Sequence, residues 1–225
     1  MPLGRPDRRA AQCRIWRKDR KLMTRRARFL LAAPAAFLVA ALGTTTALAA
    51  TTWTVTPGGG FTGTGTLTLS LGGGGGLSCN SSIAGGLRGG KGPGRHIGSI
   101  TALGLTNCAG PAGLTWTIQA GGLPWVMNAQ SYNSGTGTTT GKVTGMHLSV
   151  SGEACSFIVD GTGGSKDNGK VTFTYTNATH VLKLGKPGNL HAYNVSGCTG
   201  LITDGSPMSL SASYTISPPQ TITSP

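Results

Sequence analysis

Acidic side chains are scarce in this chain. Its 225 residues hold 6 Asp and Glu against 19 Lys and Arg, and only 11% of them are charged. Such low charge, combined with 38 Gly, argues against a coiled coil or a helical bundle. Long apolar runs are missing as well: the longest, Phe29 to Leu42, is interrupted by Pro34 and falls short of the about 20 residues of a spanning helix. There is no C-x-x-C pair for zinc, no Gly-x-Ser-x-Gly elbow for an esterase, and no helical periodicity beyond two turns outside the N-terminal region. The formal charge of +13 invites a nucleic-acid partner, but its distribution speaks against one. Eleven of the basic residues, from Arg5 to Arg28, lie before residue 50, and the chain from residue 50 onward is only mildly basic.

Arg25, Arg26 and Arg28 precede the apolar run, and Ala47-Leu48-Ala49 follows it as a small-x-small cleavage site. A basic flank, a short apolar core and such a site together describe a secretory signal. Arg25-Arg26 resembles a twin-arginine signal, but Phe29 stands one place too far along, so ordinary export is expected. Met23 would open a leader of ordinary length. The expected organisation is an untranslated or non-native extension at 1–22, a signal peptide at 23–49, an all-β domain at 50–217 and a flexible tail at 218–225. No transmembrane helix is expected in the mature form.

Four cysteines then remain: Cys79, Cys108, Cys155 and Cys198. An even number in an exported chain reads as two disulfides. Spacing alone allows three connectivities, and an internal similarity selects one. Gly98 to Cys108 aligns without a gap on Gly188 to Cys198, with Gly, Ala and Cys identical. Thr66 to Leu71 before Cys79 echoes Met146 to Ser151 before Cys155, and Trp116-Thr117-Ile118 echoes Tyr214-Thr215-Ile216. Two related halves, about 50–130 and 131–217, would each carry one early and one late cysteine. The expected pairs are therefore Cys79–Cys108 and Cys155–Cys198. On the chain-entropy model such bridges contribute roughly 3.5 and 4 kcal/mol, before any native strain.

Strand signals dominate the rest. Trp53 to Thr56, Thr66 to Leu71, Met146 to Val150, Phe157 to Val159, Val171 to Thr176 and Leu210 to Ile216 alternate or are rich in β-branched residues. Turn clusters separate them: Gly58 to Gly60, Gly72 to Gly76, Asn133-Ser134-Gly135, Asp167-Asn168-Gly169 and Asp204-Gly205. Asn168-Gly169 reads as a hairpin turn between Phe157–Asp160 and Val171–Thr176. The expected fold is all-β, an antiparallel β-sandwich or closed β-barrel of ten to twelve short strands built from two related halves. The leader from Met23, Trp53-Thr54-Val55-Thr56-Pro57, Leu123-Pro124-Trp125, Val159-Asp160-Gly161-Thr162 and Gln220 to Pro225 resemble a family of small secreted actinobacterial proteins. The resemblance implies export and β structure; it implies no activity and no functional residues.

Gly85 to Lys91 fits the start of a phosphate-binding loop, but Gly92 stands where the Mg²⁺-holding hydroxyl belongs. What remains is a cationic stretch, Arg88, Lys91, Arg95 and His96, whose neighbouring glycine amides suit an anion. The sequence identifies no partner, and anionic cell-wall polymers or phospholipid headgroups are the candidates this stretch suggests; no cofactor and no metal are expected. Asp160 to Asn168 departs from the calcium-loop spacing and reads as turn chemistry. The carboxylates Glu153, Asp160, Asp167 and Asp204, with His96, His147, His180 and His191, are the raw material for a hydrolase. A Ser–His–Asp set is recognised only in space. Trp116 and Tyr214 read as core, whereas Trp125, beside Pro124, is the aromatic expected to be exposed. The leading expectation is a secreted, non-catalytic structural or binding module. An envelope β-barrel or pore comes second and a small secreted hydrolase third.

Overall fold

Alternation of Thr or Ser with an apolar residue carries most of the chain into strands, because β-branched side chains suit a pleated surface with one face covered. The computed structural model describes residues 52–72, 74–164 and 166–225. The expected leader and N-terminal extension lie outside them. In chain order the strands are β1 (Thr52–Thr56), β2 (Gly59–Ser70), β3 (Gly76–Leu87), β4 (Gly90–Pro93), β5 (Gly98–Ala109), β6 (Thr115–Gly121) and β7 (Trp125–Asn133). They continue with β8 (Thr138–Ser151), β9 (Ser156–Gly161), β10 (Gly169–Thr176), β11 (Val181–Gly188), β12 (Leu190–Ser196), β13 (Ser209–Ser217) and β14 (Thr221–Thr223). A single 3₁₀ turn, Pro111–Gly113, is the helical element among the described residues.

Eight strands close an antiparallel barrel: β2–β3–β5–β7–β8–β10–β11–β13, with β13 returning to β2. Of these, β2, β3 and β5 come wholly from the first half of the domain, β7 reaches its boundary, and the other four come from the second half. The ten to twelve short strands expected are instead fourteen among the described residues, three of them with 12 residues and one with 14. Glycines such as Gly60, Gly85 and Gly86, which look like turn residues, sit inside ladders. Alternation fills the interior. On β13 Leu210, Ala212, Tyr214 and Ile216 point inward while Ser211, Ser213, Thr215 and Ser217 stay outside. On β10 Val171, Phe173 and Tyr175 likewise face inward. Near one end, Phe61, Leu87, Met127, Tyr175, Leu182, Ile216 and Ile222 leave only about 10 Å³ unfilled.

The long strand β8 belongs to two sheets. Thr138 to Met146 runs in the barrel between β7 and β10, and His147 to Ser151 runs between β6 and β9. At the junction Gly145 (φ 88°) is an extra residue opposite the Gly169/Lys170 step. A bulge of this kind needs a positive φ and shifts side-chain parity by one. The inward residues are accordingly Thr139, Gly141 and Val143 before it, and Met146, Leu148 and Val150 after it. The strands β9 and β10 do not pair with each other. They lie end to end along the same edge of β8, so the hairpin expected at Asn168-Gly169 is replaced by a loop that interrupts one extended edge. Val143 and Met146 must both face a core across the bulge, and the one-place shift at Gly145 lets them do so.

Both disulfides form as expected, Cys79–Cys108 and Cys155–Cys198, with Cα–Cα distances of 4.1 and 4.4 Å. The first joins the paired strands β3 and β5. The second joins the start of β9 to the end of β12, which pair likewise. The residue before the later cysteine has a positive φ in each case, Asn107 at 52° and Gly197 at 72°.

The C-terminal tail is not loose. The last strand, β14, pairs with β1, and β4 completes this small sheet. Gln220 is fully buried: its Oε1 accepts from the Gly58 N–H at 2.9 Å, and its carbonyl accepts from the Tyr175 hydroxyl at 2.7 Å. Asn177 imitates a strand edge, donating to the Ile222 carbonyl and accepting from its N–H, both at 2.9 Å. Two prolines suggest a mobile end, but these partners lie far away in sequence.

Candidate functional site

The cationic residues singled out in the sequence converge. Arg88 follows β3, Lys91 lies in β4, and Arg95 and His96 form the turn before β5. All four line one concavity of about 260 Å³, backed by Trp53, Val55 and Ile97. Local geometry holds them there. The Arg88 N–H donates to the Ile97 carbonyl at 2.8 Å, closing the segment between β3 and β5. A Cβ on Gly58 would collide with the Gly89 backbone, so this close approach of two chain segments needs glycine. His96 has φ 55° and its N–H donates to Asn128 Oδ1 at 2.9 Å. The Arg88 guanidinium, which can only donate, gives a hydrogen bond to His96 Nδ1 at 3.1 Å, leaving the ring proton on Nε2. Among the described residues no carboxylate pairs with Arg88, Lys91 or Arg95. The segment from Gly85 to Lys91 passes from one strand into another rather than into a helix, so it has no phosphate-binding-loop architecture.

A second cluster stands at the β8 bulge. Asp160, at the end of β9, is buried at 2% exposure. Its Oδ1 accepts from the N–H groups of Gly161, Asn168 and Gly169 at 2.8, 3.0 and 3.1 Å. Its Oδ2 accepts from the Asp167 N–H at 3.0 Å and from His147 Nδ1 at 2.8 Å. Burial alone would raise this carboxyl. The bonds from His147 and from the Gly161, Asn168 and Asp167 N–H groups outweigh burial and hold its pKa below the ordinary 3.8. Asp160 therefore organises the loop between β9 and β10 from its centre. Asp167 (φ 60°) places Oδ1 3.9 Å from His147 Nδ1 with no hydrogen-bond partner. His147, Asp160 and Asp167 offer ligand atoms within 4.8 Å of one another, but both oxygens of Asp160 are committed to N–H donors. A cation would have to displace them. Among the described residues no hydroxyl hydrogen-bonds to His147. The cluster opens on a cleft of about 540 Å³ walled also by Ile158, Lys166, Tyr193 and Asn194.

The family model described as "Alkane oxidation protein activator PraA/PraB-like" matches residues 23–224. The chain is a member of the PraA/PraB-like family. No curated protein matches it, and no solved structure does either.

Elsewhere in this PraA/PraB-like chain one expected site residue is displaced. Trp125 is 1% exposed rather than available to a ligand. It opens β7, points into the core, and donates its indole N–H to the Gly121 carbonyl at 2.8 Å. The bond satisfies the polar edge, so the ring can be buried. Reading the residues singly also missed the His147–Asp160 pair. Its trace was present in the apolar spacing: Val143 is followed by Met146, Leu148 and Val150, a one-place slip that marks a bulge and turns His147 outward.

Proposed function

We propose that this PraA/PraB-like chain is an exported, non-catalytic accessory to alkane oxidation that engages anionic groups of a cell surface through the Arg88–Lys91–Arg95–His96 cleft. The observation that carries the reading is three cations around one concavity with no carboxylate among the described residues to neutralise them, a geometry that focuses field outward. The family description names an activator rather than an oxidase, which favours an accessory role. Two disulfides fit an oxidising compartment outside the cytoplasm. The barrel interior is filled at the end that holds Phe61, Tyr175 and Ile222, which favours action from the outer surface there. A pore is disfavoured by the barrel's polarity. Its outward rows, such as Thr62, Thr64, Thr66 and Thr68 beside Ser217, Thr215, Ser213 and Ser211, are hydroxyls where a membrane barrel needs an apolar band.

The test is binding of the oxidised exported protein to phosphatidylglycerol-containing vesicles and to wall preparations. Each basic residue near an anionic surface is worth about 1 kcal/mol, or roughly fivefold. R88Q/K91Q/R95Q should therefore weaken vesicle binding about a hundredfold and remove most of its salt dependence. Equal binding by the triple variant rejects this reading.

A further inference from the structure

On the barrel wall, β11 and β13 part company. Their ladder ends at Leu184–Ala212, although β13 continues against β2 as far as Ser209. The cause lies in β11. Val171 pairs with Gly188 but the next residue, Thr172, pairs with Gly185, so Lys186 and Pro187 are looped out of the β10–β11 ladder. The Thr172 hydroxyl donates to the Pro187 carbonyl at 2.9 Å and holds the bulge. On the other side the Met208 N–H donates to the Leu190 carbonyl at 2.8 Å, fixing the far wall. Between these edges opens a slot of about 440 Å³, within the range of small-ligand pockets.

We propose that this slot binds the chain of a linear aliphatic carboxylate. Its walls are Val171, Leu190, Met208 and Leu210, with no aromatic ring and with Ser209 as the one hydroxyl among the lining residues. Such walls recognise methylenes, and the thioether adapts to them. Lys186 stands at the rim. An adjoining hollow of about 120 Å³ shares Val171, Pro187 and Gly188 and is edged by Lys142 and Lys170. Among the described residues no carboxylate pairs with any of these three lysines, so the mouth is complementary to a carboxylate head while the interior is complementary to its tail. Alkyl carboxylates are what terminal oxidation of an alkane yields, which places the slot at the product end of the chemistry named by the family. The site does not involve the cationic cleft and stands or falls without it.

Titration calorimetry of the oxidised exported protein with decanoate, dodecanoate, tetradecanoate and uncharged 1-dodecanol tests the proposal. Dodecanoate should bind one to one, and affinity should rise about fourfold per methylene until the slot is full. The alcohol should bind several-fold more weakly. K142Q/K170Q/K186Q, all on exposed side chains, should bring dodecanoate down to the alcohol's affinity and leave the alcohol unchanged. S209W, checked for an intact near-ultraviolet spectrum, should block both ligands, and R88Q/K91Q/R95Q should bind like the parent. Absence of saturable binding, affinity independent of chain length, or lysine-variant binding equal to the parent's would overturn the proposal. Full binding by a folded S209W, or loss of binding in the cleft variant, would do the same. Should S209W fail to fold, the lysine variant and the chain-length series decide the matter.

Discussion

Asp160 shows how one buried carboxylate can shape a loop. Five N–H donors converge on it, and an amide in its place would turn an NH₂ toward at least two of them. Breaking a buried charged network by removing one member costs about 3–5 kcal/mol, so D160N should lower the unfolding free energy by roughly that amount in urea titrations. The pH dependence has a definite sign. The folded carboxyl titrates below its ordinary 3.8, so on acidification the unfolded chain takes up the proton first. Its stabilisation is complete above the unfolded value and is lost as pH falls through the folded one. The parent's urea midpoint should drop on that acid limb, and the D160N midpoint should drop less; parallel curves would contradict the assignment. Asp160 is conspicuous in the sequence as one of few acids, yet most of its partners are backbone groups, three of them seven to nine residues on, which residue types do not disclose. Arg88, Lys91, Arg95 and His96 were legible because a short span must keep its charges close together. Trp125 was not, since its burial depends on one carbonyl, that of Gly121.

At the scale of elements, alternation revealed strands wherever Thr and apolar residues took turns, as on β10, β13 and the second half of β2. It failed where glycine replaced one member of the alternation, as along β3 and the first half of β2. The segment Thr221-Ile222-Thr223 alternates too, but three residues beside Pro218-Pro219 are too few to announce a strand. Its partners are decisive: Ile222 is 1% exposed and closes the same interior as Phe61 and Tyr175. Truncating a buried Ile to Ala costs about 2–5 kcal/mol. I222A should fall in that range, and deletion of residues 218–225 should cost at least as much, since it also orphans the Gly58 N–H and both polar groups of Asn177. Thermal or urea unfolding of the two variants checks this, and a deletion with the parent's midpoint would mean that the tail does not hold the barrel end.

Closure of the barrel was the least legible property of the whole molecule, because β13 meets β2 across most of the described chain and periodicity carries no information about which strands become neighbours. The disulfides were legible because four cysteines remain after the expected leader and the likeness of Gly98–Cys108 to Gly188–Cys198 suggested one pairing, but the two bridges have different surroundings. Cys79–Cys108 ties β3 to β5 where each has a second partner strand, β2 beside Cys79 and β6 beside Cys108. Cys155–Cys198 anchors β12, whose one full ladder is with β9 and whose far edge carries the isolated His191–Pro207 bridge. Although the chain-entropy model ranks the second bridge slightly higher, at roughly 4 against 3.5 kcal/mol, the cost of losing it should be local. In C155S/C198S, residues 190–205 should open and exchange amide hydrogens well before the barrel, with most of the global stability retained. In C79S/C108S the loss should instead appear as a lower global unfolding free energy of about 2–5 kcal/mol, with no segment exchanging early. Hydrogen exchange measured by mass spectrometry distinguishes the two patterns. If both variants open the same segments to the same degree, the barrel and the β9–β12 edge unfold as one cooperative unit, and the second bridge protects the whole molecule rather than its rim.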